Sequence, residues 1–164
     1  MATSTDTEPQ LHELAKDALR VLSVLLDPQR VSEQQQFFAA VTPKPEDFPR
    51  VFVPQVAERL AALYAPMFAQ PLTLPYSPAQ TVLRVAVALS DDFAKGDARA
   101  DSFPGGYKQV AQYLVPGIPW VRWEALVPGE DAGMSTDGLV RLGDRWVWFP
   151  KAYRAIEAVR MESR

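Results

Sequence analysis

The apolar positions of this chain follow two different periods. From Leu11 the spacing is helical: Leu11, Leu14, Ala15, Ala18, Val21, Leu22, Leu25 and Leu26 recur every three or four residues, which predicts an amphipathic helix with one apolar stripe. Asp27-Pro28 ends it, because proline disfavours a helical residue before it. Ser32 is placed to cap a second helix, Glu33 to Val41, that turns Phe37 and Phe38 inward. Thr42-Pro-Lys-Pro45 predicts a loop and Asp47-Phe-Pro49 a single turn. Pro54 suits the first position of a third helix, running to Tyr64 and burying Val56, Leu60, Leu63 and Tyr64. Prolines 66, 71, 75 and 78 are expected to forbid its extension, while Met67 and Phe68 still pack.

At Gln80 the period changes to two. Leu83, Val85, Val87 and Leu89 alternate with Arg84, Ala86 and Ala88, and the β-branched valines favour a strand over a helix. Ser90 to Pro104 is acidic and without period. Gly105-Gly106 opens a short helix, Tyr107 to Leu114, stopped by Pro116-Gly117. Trp120 to Val127 alternates again, and Pro128 to Asp137 predicts a polar loop. The clearest local signal is Leu139 to Leu142, Gly143-Asp144, Arg145 to Phe149: two strand-like runs about a two-residue turn. Such a turn pairs Leu142 with Arg145, Arg141 with Trp146, Val140 with Val147 and Leu139 with Trp148. One face then carries Val140, Leu142, Val147 and Phe149, the other Leu139, Arg141, Trp146 and Trp148. Pro150 closes the strand and starts a last helix with Tyr153, Ile156 and Val159 inward.

Helices first and strands afterwards mean α+β, a helical N-terminal half packed on a C-terminal antiparallel sheet. Residues 1–9 are expected to be a flexible tail and 10–164 one domain. The element order also resembles the cone-shaped fold of nuclear-transport-factor-like and ketosteroid-isomerase-like proteins, a cystatin-like α+β arrangement and the alternative architecture. A closing helix and a small number of strands depart from that pattern. No diagnostic residue accompanies the likeness, so it transfers no catalytic residue.

Composition narrows the chemistry. The 164 residues hold no cysteine, which excludes disulfides, thiolate nucleophiles and sulfur-ligated zinc. Net charge is −3, and from Asp101 onward basic and acidic residues balance, which argues against nucleic acid as the partner. No apolar run approaches the roughly 20 residues needed to span a bilayer, and the polar, acidic start lacks the features of a signal peptide. A cytoplasmic protein with no membrane association is the expectation.

His12, the only histidine, sits beside the apolar stripe and reads as an exposed helix-end residue more readily than as a general base. Asp91, Asp92, Asp97 and Asp101, and then Glu130, Asp131 and Asp137, read as two solvated acidic loops without calcium-loop spacing, so neither a metal nor a cofactor is expected. Gly105-Gly106 falls short of a phosphate loop, and a tight turn needing positive φ is the plainer reading. The tryptophans are the strongest feature, since all 4 lie between residues 120 and 148. Indoles are costly to expose, and a buried indole N–H seeks an acceptor. Core packing accounts for such a cluster. So does a contact face built from Trp120, Arg122, Arg141, Trp146 and Trp148, with Arg141 stacked on Trp146.

Three functions follow. The first is a non-catalytic binding or protein-interaction domain that uses this aromatic and arginine face for a small molecule or a protein partner. The second is a small isomerase- or hydrolase-like pocket enzyme with a buried carboxylate base, its polar groups drawn from Tyr64, Tyr76, Asp92, Tyr107 and Glu124. The third is a homodimer whose interface consumes exposed aromatics.

Overall fold

A computed structural model describes residues 4–74 and 76–162, with side chains from Thr7 onward. The first helix, α1 (Ser4–Leu22), passes into a 3₁₀ turn at Ser23–Leu26, and α2 (Val31–Val41), α3 (Phe48–Val51) and α4 (Pro54–Phe68) follow. Strand β1 (Val82–Leu89) leads into α5 (Ser90–Lys95) and α6 (Gly106–Val110). Then β2 (Pro119–Leu126), β3 (Met134–Leu142) and β4 (Arg145–Trp148) precede α7 (Ala152–Glu162). The four strands form one antiparallel sheet in the order β1-β2-β3-β4, so the fold is α+β, with most helices N-terminal and the sheet in the C-terminal half. No helix among the described residues is long and apolar enough to cross a membrane.

Strand alternation gives the sheet two apolar faces, and each has its own helical cover. On one face Trp120, Val140, Leu142, Val147 and Phe149 pack against α3, α4, α6 and α7 through Phe48, Phe52, Leu60, Tyr107 and Ile156. On the other, Val121, Trp123, Leu139, Trp146 and Trp148 pack against α1, its 3₁₀ extension and α2 through Ala18, Leu22, Leu25, Phe37 and Phe38. Helices on both faces differ from a helical half wrapped around one curved sheet, as in the cone-shaped arrangement.

The β3–β4 hairpin has the predicted register, Leu142 opposite Arg145 through to Leu139 opposite Trp148. Gly143 takes φ +60, a value glycine adopts at no steric cost. Next to the hairpin, Gly138 is a bulge: β2 runs opposite it from Val121↔Leu139 directly to Arg122↔Asp137. Its φ is +92, and a Cβ there would stand 2.0 Å from the Phe149 carbonyl oxygen, so only glycine fits.

Several local expectations change. Of the expected tail, residues 1–3 lie outside the described region and 4–9 are already helix. The third helix does not stop at Tyr64 but runs through Pro66 to Phe68, whose ring packs edge-on against Trp148 and beside Tyr64. Leu63, expected inward, is exposed, and Ala57 takes the buried position. The acidic stretch after β1 is not irregular: Asp92 accepts from the Leu89 N–H at 2.8 Å and caps α5, which Gly96 closes in the left-handed conformation at φ +69. The loop before β3 is shorter than predicted, because Met134, Ser135 and Thr136 pair with Ala125, Glu124 and Trp123. The glycine pair before α6 needs no positive φ. Gly105 sits at φ −60, and Gly106 is required because a Cβ would come within 2.4 Å of the Tyr153 ring.

Candidate functional site

The structure divides the five residues expected to form a contact face. Trp120 stands opposite Val140, so it belongs to the face of the first core, and Arg122 follows it on that side. Trp146 and Trp148 belong to the second core and Arg141 lies beside them. The three indoles are all buried, Trp120 completely and Trp146 to 7% exposure, so together they form no open surface.

What each indole N–H does differs between the faces. Trp123 donates to the Tyr76 hydroxyl at 2.7 Å, Trp148 to the Asp137 carbonyl at 2.9 Å and Trp146 to the Asp17 carboxylate at 2.8 Å. These bonds fix three rings beneath α1, α2 and the side chains of Leu72, Leu74 and Tyr76. The Trp120 N–H has no hydrogen-bond partner and lies among the rings of Phe52, Phe93 and Tyr107. Arg122 is tied locally, to Ser135 at 3.0 Å and Glu124 at 3.5 Å.

Arg141 is the member of the set that reaches a cleft. Its guanidinium stacks 5.0 Å from the Trp146 ring centre, donates to the Gly143 carbonyl at 2.9 Å and pairs with Asp17 at 3.2 Å. Asp17 therefore joins Arg141, Trp146 and, along α1, Arg20 at 2.7 Å. The bonds from Arg20 and Trp146 hold its carboxyl below the usual range despite partial burial. Asp17 and Arg141 of this cluster line an open cleft of about 800 Å³ between α1 and the turn end of the sheet. Leu14, Ile118 and Leu142 supply apolar lining and Arg50, Glu13 and Arg141 the charges. Arg50 is exposed, on the short α3.

The carboxylates expected to serve as a base are otherwise engaged. Asp92 receives Arg99 through two bonds, at 2.9 and 3.1 Å, as well as capping α5. Glu124 is bound by Arg84 and by the Gly133 N–H at 3.2 Å. Burial opposes its ionisation, but these bonds outweigh it and the pKa is lowered. Asp47 is similar: burial is overcome by a two-bond pair with Arg145, at 2.8 and 3.2 Å, and by the Lys44 N–H. The pair fastens the β3–β4 turn to the segment before α3. Of the tyrosines, Tyr64 donates to the Pro150 carbonyl at 2.9 Å and Tyr76 accepts from Trp123; burial pushes both hydroxyls up.

Asp137 is the exception, and it escaped the sequence reading, which placed it in a solvated loop. It is buried in β3 beside the Gly138 bulge and takes the Tyr107 hydroxyl at 2.5 Å. Desolvation raises its pKa against the opposing pull of Tyr107, of Lys151 through charge and backbone N–H, and of Arg154. Lys151 sits at φ +51, the one non-glycine residue with positive φ among those described. The Asp-Gly pair within an alternating run was the available signal, since glycine inside a strand marks a bulge.

His12 and the acidic Glu130 and Asp131 are exposed. Among the described residues no group of three or more His, Asp or Glu is arranged to hold a metal ion. Large apolar side chains left exposed are scattered, Leu19, Val31, Leu63, Met67, Val82 and Met161, and include none of the tryptophans expected to feed a homodimer interface. Compared with known proteins, the chain matches no family model, no curated protein and no solved structure.

Proposed function

We propose that this chain is a non-catalytic binding or protein-interaction domain whose contact surface is the cleft between α1 and the turn end of the sheet. The composition of that cleft carries the reading: apolar lining from Leu14, Ile118 and Leu142 beside the paired charges of Arg141 and Asp17 and the exposed charge of Arg50. A concave, mostly apolar surface with a few fixed polar groups is what ligand recognition uses. The aromatic and arginine face of the sequence thereby takes a changed form. Arg141 is the contact residue, Trp146 its support, and Trp148 and Trp120 belong to the scaffold. Arg122 has no part in it. The arginine pairing of Glu124 and Asp47 supports binding over catalysis, because a carboxylate held ionised by a guanidinium is a weak base.

Leu14→Trp tests this by filling the cleft from the α1 side. In ligand-observed NMR with small carboxylic acids and aromatic fragments, hits on the wild type should weaken about tenfold or more in the variant. Unchanged binding would remove the cleft from consideration.

One observation favours a small pocket enzyme instead: Asp137 is a desolvated carboxylate with a tyrosine partner, as a general base requires. That reading needs a route to Asp137, which does not line the cleft. Carbodiimide labelling of Asp137 in the native protein would support it, and protection up to global unfolding would count against it.

A further inference from the structure

We propose that the outer edge of β1 pairs with the same edge of a second copy of this chain, joining the two sheets antiparallel about a two-fold axis at Val85. The sheet has two edge strands, and β1 is the long one, with 8 residues against 4 in β4. The β4 edge is closed off: Trp146, Val147 and Trp148 are buried, Phe38 of α2 packs on Trp148, and Pro150 follows. β1 is open. Ala88 is its only buried residue, and Val82 is 41% exposed. A long, regular edge without proline, lysine or a bulge is a template for another strand, and β1 pairs with β2 throughout without a register shift. Its one charge does not guard the edge. The Arg84 guanidinium turns inward over β2, donating to the Glu124 carboxylate at 3.2 Å and the Asp131 carbonyl at 2.6 Å.

Register decides which backbone groups of β1 lack a partner. Just past its end the Ser90 N–H donates to the Ile118 carbonyl at 2.9 Å, continuing the β1–β2 pairing. Hydrogen-bonded pairs alternate in an antiparallel ladder, so Val82, Arg84, Ala86 and Ala88 bond β2. The N–H and C=O groups of Leu83, Val85, Val87 and Leu89 therefore point outward. The Leu89 N–H is taken by Asp92, as that orientation requires. Among the described residues, the outward groups of Leu83, Val85 and Val87 meet no acceptor or donor. A second copy satisfies all three. With the axis at Val85, Val85 faces its own counterpart and Leu83 faces Val87, and each such pair exchanges two backbone bonds. Arg84 falls opposite Ala86, so like charges do not meet. An axis at Arg84 would set the two guanidinium-bearing residues opposite each other, and an axis at Val87 would need the Leu89 N–H that Asp92 holds. Leu83, Val85 and Val87 lie on the α1 side of the sheet, where the two strands would form one apolar row. Beside the start of β1, Leu19, Leu26, Pro28, Pro78 and Leu83 line an open groove of about 560 Å³, which extends the apolar surface beyond the strand. This self-complementarity favours a second copy over an unrelated extended peptide, and none of the residues lining the α1 cleft lies on this edge or in the groove.

The test is light scattering on the full chain at concentrations up to about 1 mM, beside Val85→Pro. The wild type is expected to reach twice the mass of one 18.2 kDa chain. Proline at 85 removes an N–H that does not bond β2, so the sheet is kept while the shared edge is lost, and the variant should stay at the mass of one chain. A wild type that is monomeric throughout, that grows into larger polymers, or that dimerises equally well as Val85→Pro overturns the proposal. If the variant does not fold, amide hydrogen exchange of the wild type at about 1 mM replaces it. The Leu83, Val85 and Val87 amides should then be as protected as those of Arg84 and Ala86. Exchange at least about tenfold faster at the odd-numbered positions, as for a free edge, overturns the pairing. Protection that appears in a monomer only on adding a valine-rich peptide would assign the edge to an extended peptide and overturn the second copy.

Discussion

The two faces of the sheet carry similar aromatic content and use it differently. The face beneath α4, α6 and α7 is sealed. Its Trp120, Phe52, Tyr107 and Phe149 are fully buried, and its polar pair, Asp137 with Tyr107, is closed in with them. The face beneath α1 and α2 is tethered as well as packed. All three of its indoles donate to named acceptors, and one acceptor, Asp17, also holds Arg141 at the border of a cleft. Rings in a closed core contribute dispersion and apolar burial. Rings with bonded N–H groups near a surface also orient the charged side chains that touch solvent. The second kind of face is therefore where a contact surface is sought.

The largest effect that sharpens this contrast is truncation of the two kinds of ring. Trp120→Ala, in the sealed core, should cost about 4 kcal/mol in urea denaturation, and Trp146→Ala, at the border, about 2 kcal/mol. Equal losses would erase the distinction. Next is Asp47→Ala, which strips the Arg145 guanidinium of its partner and the Lys44 N–H of its acceptor, with an expected loss of about 3 kcal/mol. Its pH dependence is equally specific. Because the folded pKa of Asp47 is lowered, its contribution is present above the unfolded carboxylate value of about 4 and is lost as pH falls through the folded value. The gap between wild type and variant should close on acidification.

Smaller effects separate the faces further. Arg141→Ala removes a partly buried ion pair and the stacking on Trp146, so about 1 kcal/mol is expected. Asp137→Asn should leave stability near neutral pH within about 1 kcal/mol of the wild type, or raise it, since the amide oxygen can still accept from Tyr107 without a buried charge. Here the pH slope has the opposite sign. The folded pKa of Asp137 is raised, so the stability gained by keeping it protonated is complete below the unfolded value and disappears as pH rises through the folded value. A large loss on Asp137→Asn would mean that the charge itself holds the sealed face together.

The hairpin was legible because period two, a Gly-Asp turn and a terminating proline all specify one register, and register assigns every side chain to a face. The composition of the contact face was not. Grouping Trp120 and Arg122 with Arg141 required the register of β2 on β3, and the segment between those strands is too long to set it. In the structure Trp120 falls opposite Val140 and not Arg141, and the Gly138 bulge shifts the pairing once more. Helix α5 was hidden for a similar reason. Asp92 caps its own helix and is paired by Arg99 seven residues later, and without that pairing the stretch looks like a solvated acidic loop. Asp17, the hub of the cleft wall, reads in sequence as an ordinary polar-face residue. Its partners Trp146 and Arg141 are more than a hundred residues away.

The central claim is that ligands meet this chain at the α1 cleft. Amide chemical-shift mapping with the tightest fragment found against the wild type tests it most directly. The account predicts saturable shifts confined to residues 9–17, 117–119 and 141–143, weakened by Leu14→Trp. Shifts centred on other surfaces, or unaffected by that substitution, would contradict it.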